Sequence, residues 1–86
     1  MIKFQRITTK DATLYNYMEQ LMTASFPSEE YRPLEELRNY TDTKTHFYCN
    51  IILHHDTPVG FITYWDFGDF YYVEHFASDP SLRNGG

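Results

Sequence analysis

Residues 47–77 read FYCNIILHHDTPVGFITYWDFGDFYYVEHFA, and this stretch decides the fold of the chain. It contains three runs rich in β-branched and aromatic residues, which are typical of strands. The sequence HDTP at 55–58 separates the first two runs, and Gly68-Asp69 between two phenylalanines has the composition of a two-residue hairpin turn. Short connections imply antiparallel neighbours. We therefore predict a three-stranded meander with strands at about 46–54, 59–67 and 70–77.

Upstream of the meander, the pattern predicts one strand and two helices. Alternation over residues 2–8 indicates a short first strand, and apolar side chains at helical spacing predict a helix over about 10–25. That helix ends at a Phe-Pro pair, because a residue before proline avoids the helical region. A second helical region covers about 28–40 and is interrupted at Pro33, and residues 41–45 form a polar loop. The predicted fold class is α+β: strand, helix, helix and antiparallel meander.

Both faces of the predicted sheet are apolar. The middle strand of the meander carries Phe61 and Trp65 on one side and Ile62 and Tyr64 on the other. An antiparallel sheet with one solvated face alternates apolar and polar residues, so two apolar faces each need a covering layer. The predicted helices suffice for one face. We expect another copy, a partner, or elements beyond this sequence to cover the other.

Composition and cysteine usage exclude several function classes. The formal net charge is -5, with 7 basic against 12 acidic residues, and such a chain repels nucleic acid and anionic membrane surfaces. No apolar run approaches the ~18 residues that span a membrane. Cys49 has no partner for an internal disulfide, and no secretory leader opens the chain, so we expect a cytoplasmic protein. Its alternation with Phe47 and Ile51 predicts a buried thiol rather than a nucleophile.

The sequence shows neither the ligand spacing of a metal site nor the motif of a serine hydrolase. Four histidines are present, but none is spaced with a cysteine or a carboxylate as metal ligands are, so we predict no metal site. No G-x-S-x-G elbow supports a hydrolase triad.

The last residues point to a specific ligand class. Arg83-Asn84-Gly85-Gly86 follows the third strand of the meander, and adjacent glycines let main-chain N–H groups approach a ligand closely. A loop of this kind normally opens a helix whose N-terminus binds phosphate. With the order of elements, it resembles the GNAT superfamily of N-acetyltransferases, in which a strand ends in a loop reading Arg or Gln, two residues, Gly, one residue, then Gly or Ala. Arg83-Asn84-Gly85-Gly86 matches the first four positions of this family pattern.

The resemblance covers essentially the whole chain, 1–86, but only about the N-terminal half of a family domain, with 79–86 as the start of the phosphate loop. It implies transfer of an acetyl group from acetyl-CoA directly to a primary amine on a small molecule or peptide. We expect this stretch alone to be inactive. The resemblance also implies the residues that bind acetyl-CoA: the main chain of Phe76, Ala77 and Ser78, and the loop residues Arg83, Asn84, Gly85 and Gly86.

Glu74 is the predicted general base of such a reaction. It lies on the strand that would bind the cofactor, among aromatic residues that could raise its pKa. Some family members carry a glutamate base two residues earlier, where this chain has Tyr72. His75 is the weaker candidate and is expected on the opposite face. The alternative for Glu74 is a structural or exposed glutamate.

Two further residues are predicted to bind the acceptor. Glu30 and Tyr31 lie between the predicted helices, where the family shapes its acceptor site, and acidic groups there suit a cationic amine. The alternative is that these acids only stabilise a helix N-terminus. A different function also stays open: a non-catalytic module that self-associates or binds a partner through its uncovered sheet face and the free edge strand at 70–77.

Overall fold

The computed structural model describes residues 1–83 and confirms the predicted order of elements. The elements are β1 (Ile2–Arg6), α1 (Ala12–Ser25), a 3-10 turn (Ser28–Glu30), α2 (Leu34–Thr43), β2 (Phe47–His54), β3 (Thr57–Asp66), β4 (Tyr71–Ser78) and α3 (Pro80–Arg83). The four strands form one antiparallel sheet in the order β1-β2-β3-β4. Helices α1 and α2 precede the meander. None of the helices within residues 1–83 is long and apolar enough to cross a membrane.

Two tight hairpins connect the meander. His55 and Asp56 have φ angles of 51° and 66°, so both central residues of the first turn are left-handed and β3 begins earlier than predicted, at Thr57. Gly68 begins the second turn with φ 89°, and the N–H of Phe67 donates to the carbonyl of Phe70 at 3.0 Å. The predicted Gly68-Asp69 hairpin is confirmed.

The second helical region differs from the prediction at both ends. Only a 3-10 turn forms at Ser28–Glu30, and α2 begins at Leu34, directly after Pro33. It then continues to Thr43, through residues expected to form a loop. The reason is local: the hydroxyl of Thr41, 6% exposed, donates to the carbonyl of Leu37 one turn earlier at 2.8 Å, so its polar group is satisfied inside the helix.

Helices α1 and α2 pack on one face of the sheet, which we term the covered face. Phe47, Ile51 and Phe61 are each 0% exposed there, and Met18 and Met22 of α1 are equally buried. Cys49 is also buried on this face, as predicted, and burial raises the pKa of its thiol to about 12. A single apolar core therefore lies between the helices and this side of the sheet.

The opposite side, which we term the open face, has no covering element within residues 1–83. Strand register places paired residues on the same side of a sheet, so the side chains of Ile52, Ile62 and Phe76 share this face. Phe76 is 58% exposed and Phe4 60%. The expectation of one uncovered apolar face is confirmed for the described residues. The open face carries Phe4, Arg6, Tyr48, Asn50, Ile52, Ile62, Tyr64, Val73 and Phe76, so it is apolar except for Arg6 and Asn50.

Strand β4 is irregular at the position where function was expected. Thr63 pairs with His75, but the next residue, Tyr64, pairs with Val73, so Glu74 is an extra residue without a partner on β3. Such a β-bulge redirects the side chains around it. The bulge therefore sets the directions of the side chains of Glu74 and His75, which line the candidate site described below.

Candidate functional site

An open pocket of about 380 Å³ lies between β4 and the connection from α1 to α2. The connection contributes the 3-10 turn and the two residues after it. The Phe-Pro pair and Pro33 interrupt the helices, and the residues that flank the turn, Pro27 and Tyr31, are extended. Strand β4 contributes three side chains around the bulge. The lining residues are Glu29, Glu30, Tyr31, Arg32, Tyr72, Glu74 and His75.

Glu74 is fully engaged by its neighbours. Arg32 donates from Nε to Oε1 at 3.1 Å and from Nη2 to Oε2 at 2.7 Å, which makes a bidentate ion pair. Trp65 donates from Nε1 to the same Oε2 at 2.6 Å. The Glu74 side chain is only 10% exposed. These contacts connect β3, β4 and the α1–α2 connection through one carboxylate.

The pKa of Glu74 is lowered, and the predicted increase is wrong. Burial by itself raises the pKa of this carboxyl group, but the hydrogen bonds from Arg32 and Trp65 and the guanidinium charge lower it further than burial raises it. A carboxylate with a lowered pKa and both oxygens occupied is a weak proton acceptor. The assignment of Glu74 as general base stays a prediction, and these contacts favour a positioning role.

His75 lies on the same side of the sheet as Glu74, and the expectation that they point to opposite faces is wrong. Its ring meets Phe26 edge-on at 4.9 Å between centroids, and its Nε2 lies 2.7 Å from the carbonyl oxygen of Glu30. Both partners belong to the helical side. The bulge at Glu74 is the reason, because an extra residue lets two consecutive side chains face the same layer.

The two predicted acceptor residues both line the pocket. Tyr31 is half-buried and packs against the core, whereas the carboxylates of Glu29 and Glu30 are exposed at the rim. The guanidinium of Arg32 is already paired with Glu74, and it stacks on Tyr40 with its Cζ 4.6 Å from the ring centroid. Carboxylates exposed at the rim attract a cationic ligand.

The residues predicted to bind acetyl-CoA through their main chain lie at the end of β4. Phe76 points to the open face, Ala77 is 5% exposed, and Ser78 pairs with Gly60. Because β4 is the last strand in the order, its outer edge has no strand partner within residues 1–83. Arg83 ends α3, and the predicted loop residues Asn84, Gly85 and Gly86 lie outside the described residues.

Comparison with known proteins identifies the family. The sequence model described as "Acetyltransferase (GNAT) family" matches residues 12–86, most of the chain. The chain belongs to the GNAT acetyltransferase family. A solved structure from Bacteroides thetaiotaomicron, assigned as an acetyltransferase from the GNAT family, is 62% identical and superposes with a TM-score of 0.95 over 98% of this chain. The chain spans 48% of the length of that GNAT protein. No curated protein sequence matches the chain.

The contacts that hold Glu74 could not be found from sequence reasoning. Arg32 and Trp65 hold Glu74, yet they lie 42 and 9 positions from it in the sequence. The alternation of β4 gives no sign of the bulge that brings them together. Among the residues that the structure describes, no cluster of three or more histidine, cysteine or acidic side chains could hold a metal ion.

Proposed function

We propose that this GNAT chain is the N-terminal part of an acetyl-CoA-dependent N-acetyltransferase that acts on a primary amine. The observation that supports this most is the pocket beside β4, which combines exposed acidic groups with Tyr31 and Tyr72. Carboxylates attract an ammonium group, and aromatic faces bind cations. The acceptor we propose is therefore a cationic amine, on a small molecule or a peptide, in the reducing cytoplasm expected from the sequence.

The proposed cofactor site is the outer edge of β4 and the loop that follows it. The main chain of Phe76, Ala77 and Ser78 would bind the pantetheine arm and polarise the thioester carbonyl, and Arg83 with Asn84, Gly85 and Gly86 would bind the pyrophosphate. When bound, acetyl-CoA supplies an acyl group activated as a thioester. His75 lies two positions before Ala77 on the same strand, so the pocket adjoins the edge where this donor would lie.

The test compares two proteins. One is the 86-residue chain, and the other is a chimera in which this chain replaces the matching part of the Bacteroides thetaiotaomicron protein. Their 62% identity makes the exchange conservative. We expect isothermal titration to show millimolar or no binding of acetyl-CoA by the chain and tight binding by the chimera. Absence of binding by both proteins would contradict the proposal.

The acceptor class is tested in the same chimera. Release of free CoA thiol is followed with 1-butylamine, spermidine and glutamate as acceptors. We expect the two cationic amines to be preferred, and Glu30→Gln to raise their KM by about threefold or more, since a rim charge is lost. The matched control is Glu35→Gln, an exposed glutamate of α2 outside the pocket. Equal effects of the two variants would contradict a role of Glu30 in binding the amine.

The open face favours a second candidate function, self-association without catalysis. Its apolar side chains lie on all four strands around Arg6 and Asn50, and Phe76 and Val73 are 58% and 50% exposed on the edge strand. The occupant we propose for this alternative is a second copy of the chain. Sedimentation of the chain and of Phe76→Lys decides the question: a dimer that the substitution dissociates supports it, and a stable monomer contradicts it.

A further inference from the structure

One of the two ring nitrogens of His75, Nε2, is hydrogen-bonded. Nε2 lies 2.7 Å from the carbonyl oxygen of Glu30, and Phe26 packs edge-on against the ring. A carbonyl oxygen only accepts hydrogen bonds, so the proton of the neutral ring lies on Nε2. The contact therefore selects the tautomer.

The other nitrogen is left as an acceptor. With the proton on Nε2, the lone pair of the neutral imidazole lies on Nδ1. No residue within the described part of the chain donates to this atom, and His75 lines the pocket. The neighbouring carboxylate of Glu74 differs, because both of its oxygens accept hydrogen bonds from Arg32 and Trp65.

We propose that Nδ1 of His75 is the atom that takes the proton from the acceptor amine, an inference that rests on the proposed acetyltransferase function. In this step one N–H bond of the substrate ammonium breaks, its electron pair stays on the amine nitrogen, and an Nδ1–H bond forms. The resulting imidazolium keeps its Nε2–H bond to Glu30. The freed electron pair is then available to attack the thioester.

The surroundings of His75 suit this charge change. His75 contacts the Glu30 carbonyl and the apolar Phe26 ring, and it lines the same pocket as the carboxylates of Glu29, Glu30 and Glu74 and the guanidinium of Arg32. Because Arg32 is ion-paired, its repulsion of an imidazolium is offset by the adjacent carboxylate. Glu74 is then a positioning residue: through Arg32 it fixes the segment that carries the Glu30 carbonyl.

The tautomer is tested directly on the 86-residue chain. Two-bond ¹H–¹⁵N correlation spectra of the four histidine rings distinguish a protonated from an unprotonated nitrogen. We expect Nε2 of His75 to be protonated and Nδ1 unprotonated, and addition of 1-butylamine to shift Nδ1 of His75 but not the ring of exposed His46. The opposite tautomer, or no response of His75 to the amine, would overturn the proposal.

The proton transfer is tested by turnover in the chimera. We expect His75→Gln to lower kcat by about 10²-fold or more while changing the KM for amine by less than about threefold, as removal of a general base does. Glu74→Gln should lower kcat less and also shift the His75 ring resonances, because it acts through position. The matched control is His46→Gln. An unchanged kcat for His75→Gln would overturn the assignment.

The two proposals fail in different ways. If the chimera without substitutions transfers no acetyl group to any amine, the proposed function fails, whatever the histidine spectra show. If the chimera is active and His75→Gln is equally active, only the assignment of His75 fails. Circular dichroism of each variant shows whether the sheet is intact, so a misfolded protein is not mistaken for loss of the base.

Discussion

Phe61 and Phe76 lie on neighbouring strands of one sheet, yet the first is 0% and the second 58% exposed. Phe61 belongs to the covered face, where α1 and α2 exclude water, and Phe76 belongs to the open face. The strand sequences are apolar on both sides, so the hydrophobic pattern is similar and the difference arises from what packs on it. The comparison teaches that residues 1–83 build only one complete core layer of a GNAT domain.

The largest expected effect is the contrast between these two phenylalanines. We expect Phe61→Ala to lower the free energy of unfolding by about 3–5 kcal/mol, because it removes a buried ring and leaves a cavity. Phe76→Ala should change it by less than about 0.5 kcal/mol in the same chain. Urea unfolding followed by the fluorescence of the single tryptophan measures both.

A small domain has little stability to lose, so a milder pair of variants accompanies the first. Ile51→Val on the covered face should cost about 0.5–1.5 kcal/mol, and Ile62→Val on the open face less. Similar losses on both faces would show that the open face is covered in solution. That outcome would contradict the contrast between the covered and the open face and would favour self-association.

The second effect concerns the Glu74 ion pair, which joins the covered side to the α1–α2 connection. We expect Glu74→Gln to cost about 1–3 kcal/mol at neutral pH, since Arg32 and Trp65 lose a charged acceptor. Glu35→Gln, an exposed glutamate of α2, should be nearly neutral. Circular dichroism is the measurement here, because Trp65 itself contacts Glu74.

The same pair makes stability depend on pH. The pKa of Glu74 in the folded chain lies below its ordinary value of 4.5. Ionised Glu74 therefore stabilises the fold above that ordinary value, and the contribution is lost as the pH falls through the folded-state pKa. We expect the difference in unfolding free energy between the parent chain and Glu74→Gln to shrink progressively as the pH falls below 4.5. A difference that stays constant between pH 7 and pH 3 would contradict the ion pair.

The limits of sequence reasoning follow from the same residues. Alternation and turn composition suffice for the four strands, both hairpins and the uncovered face, because these features depend on neighbours in sequence. The bulge at Glu74 follows no local pattern, and it changed which face His75 occupies. Arg32 and Glu74 are 42 positions apart, so their pairing depends on tertiary structure. Family membership was predictable because glycine loops and element order are themselves sequence features.

A smaller effect sharpens the description of the open face. Tyr48 and Tyr64 are cross-strand partners whose rings stack with an interplanar angle of 2° at 5.1 Å, and Arg6 lies 3.8 Å from the centroid of the Tyr48 ring. We expect a double-mutant cycle of Tyr48→Leu and Tyr64→Leu to give a coupling energy of about 0.5–1.5 kcal/mol. Tyr64→Leu with Tyr17→Leu of α1 serves as the uncoupled control. Zero coupling in the first cycle would mean that the open face is only a set of separate exposed rings.

The smallest expected effect on stability concerns Asp56 in the turn between β2 and β3, outside both faces of the sheet. Asp56 has a φ of 66°, a backbone conformation that glycine adopts freely and aspartate does not. Its contact with Lys3, 3.6 Å between Nζ and Oδ1, joins two exposed side chains and contributes little. We expect Asp56→Gly to raise the free energy of unfolding by less than about 1 kcal/mol, because relief of the strained φ exceeds the added entropy of the unfolded chain. Asp56→Asn, which keeps a side chain at the same φ, is the control, and urea midpoints give the difference. A loss of stability in Asp56→Gly beyond that of Asp56→Asn would show that the Asp56 side chain stabilises the turn and would contradict the strain argument.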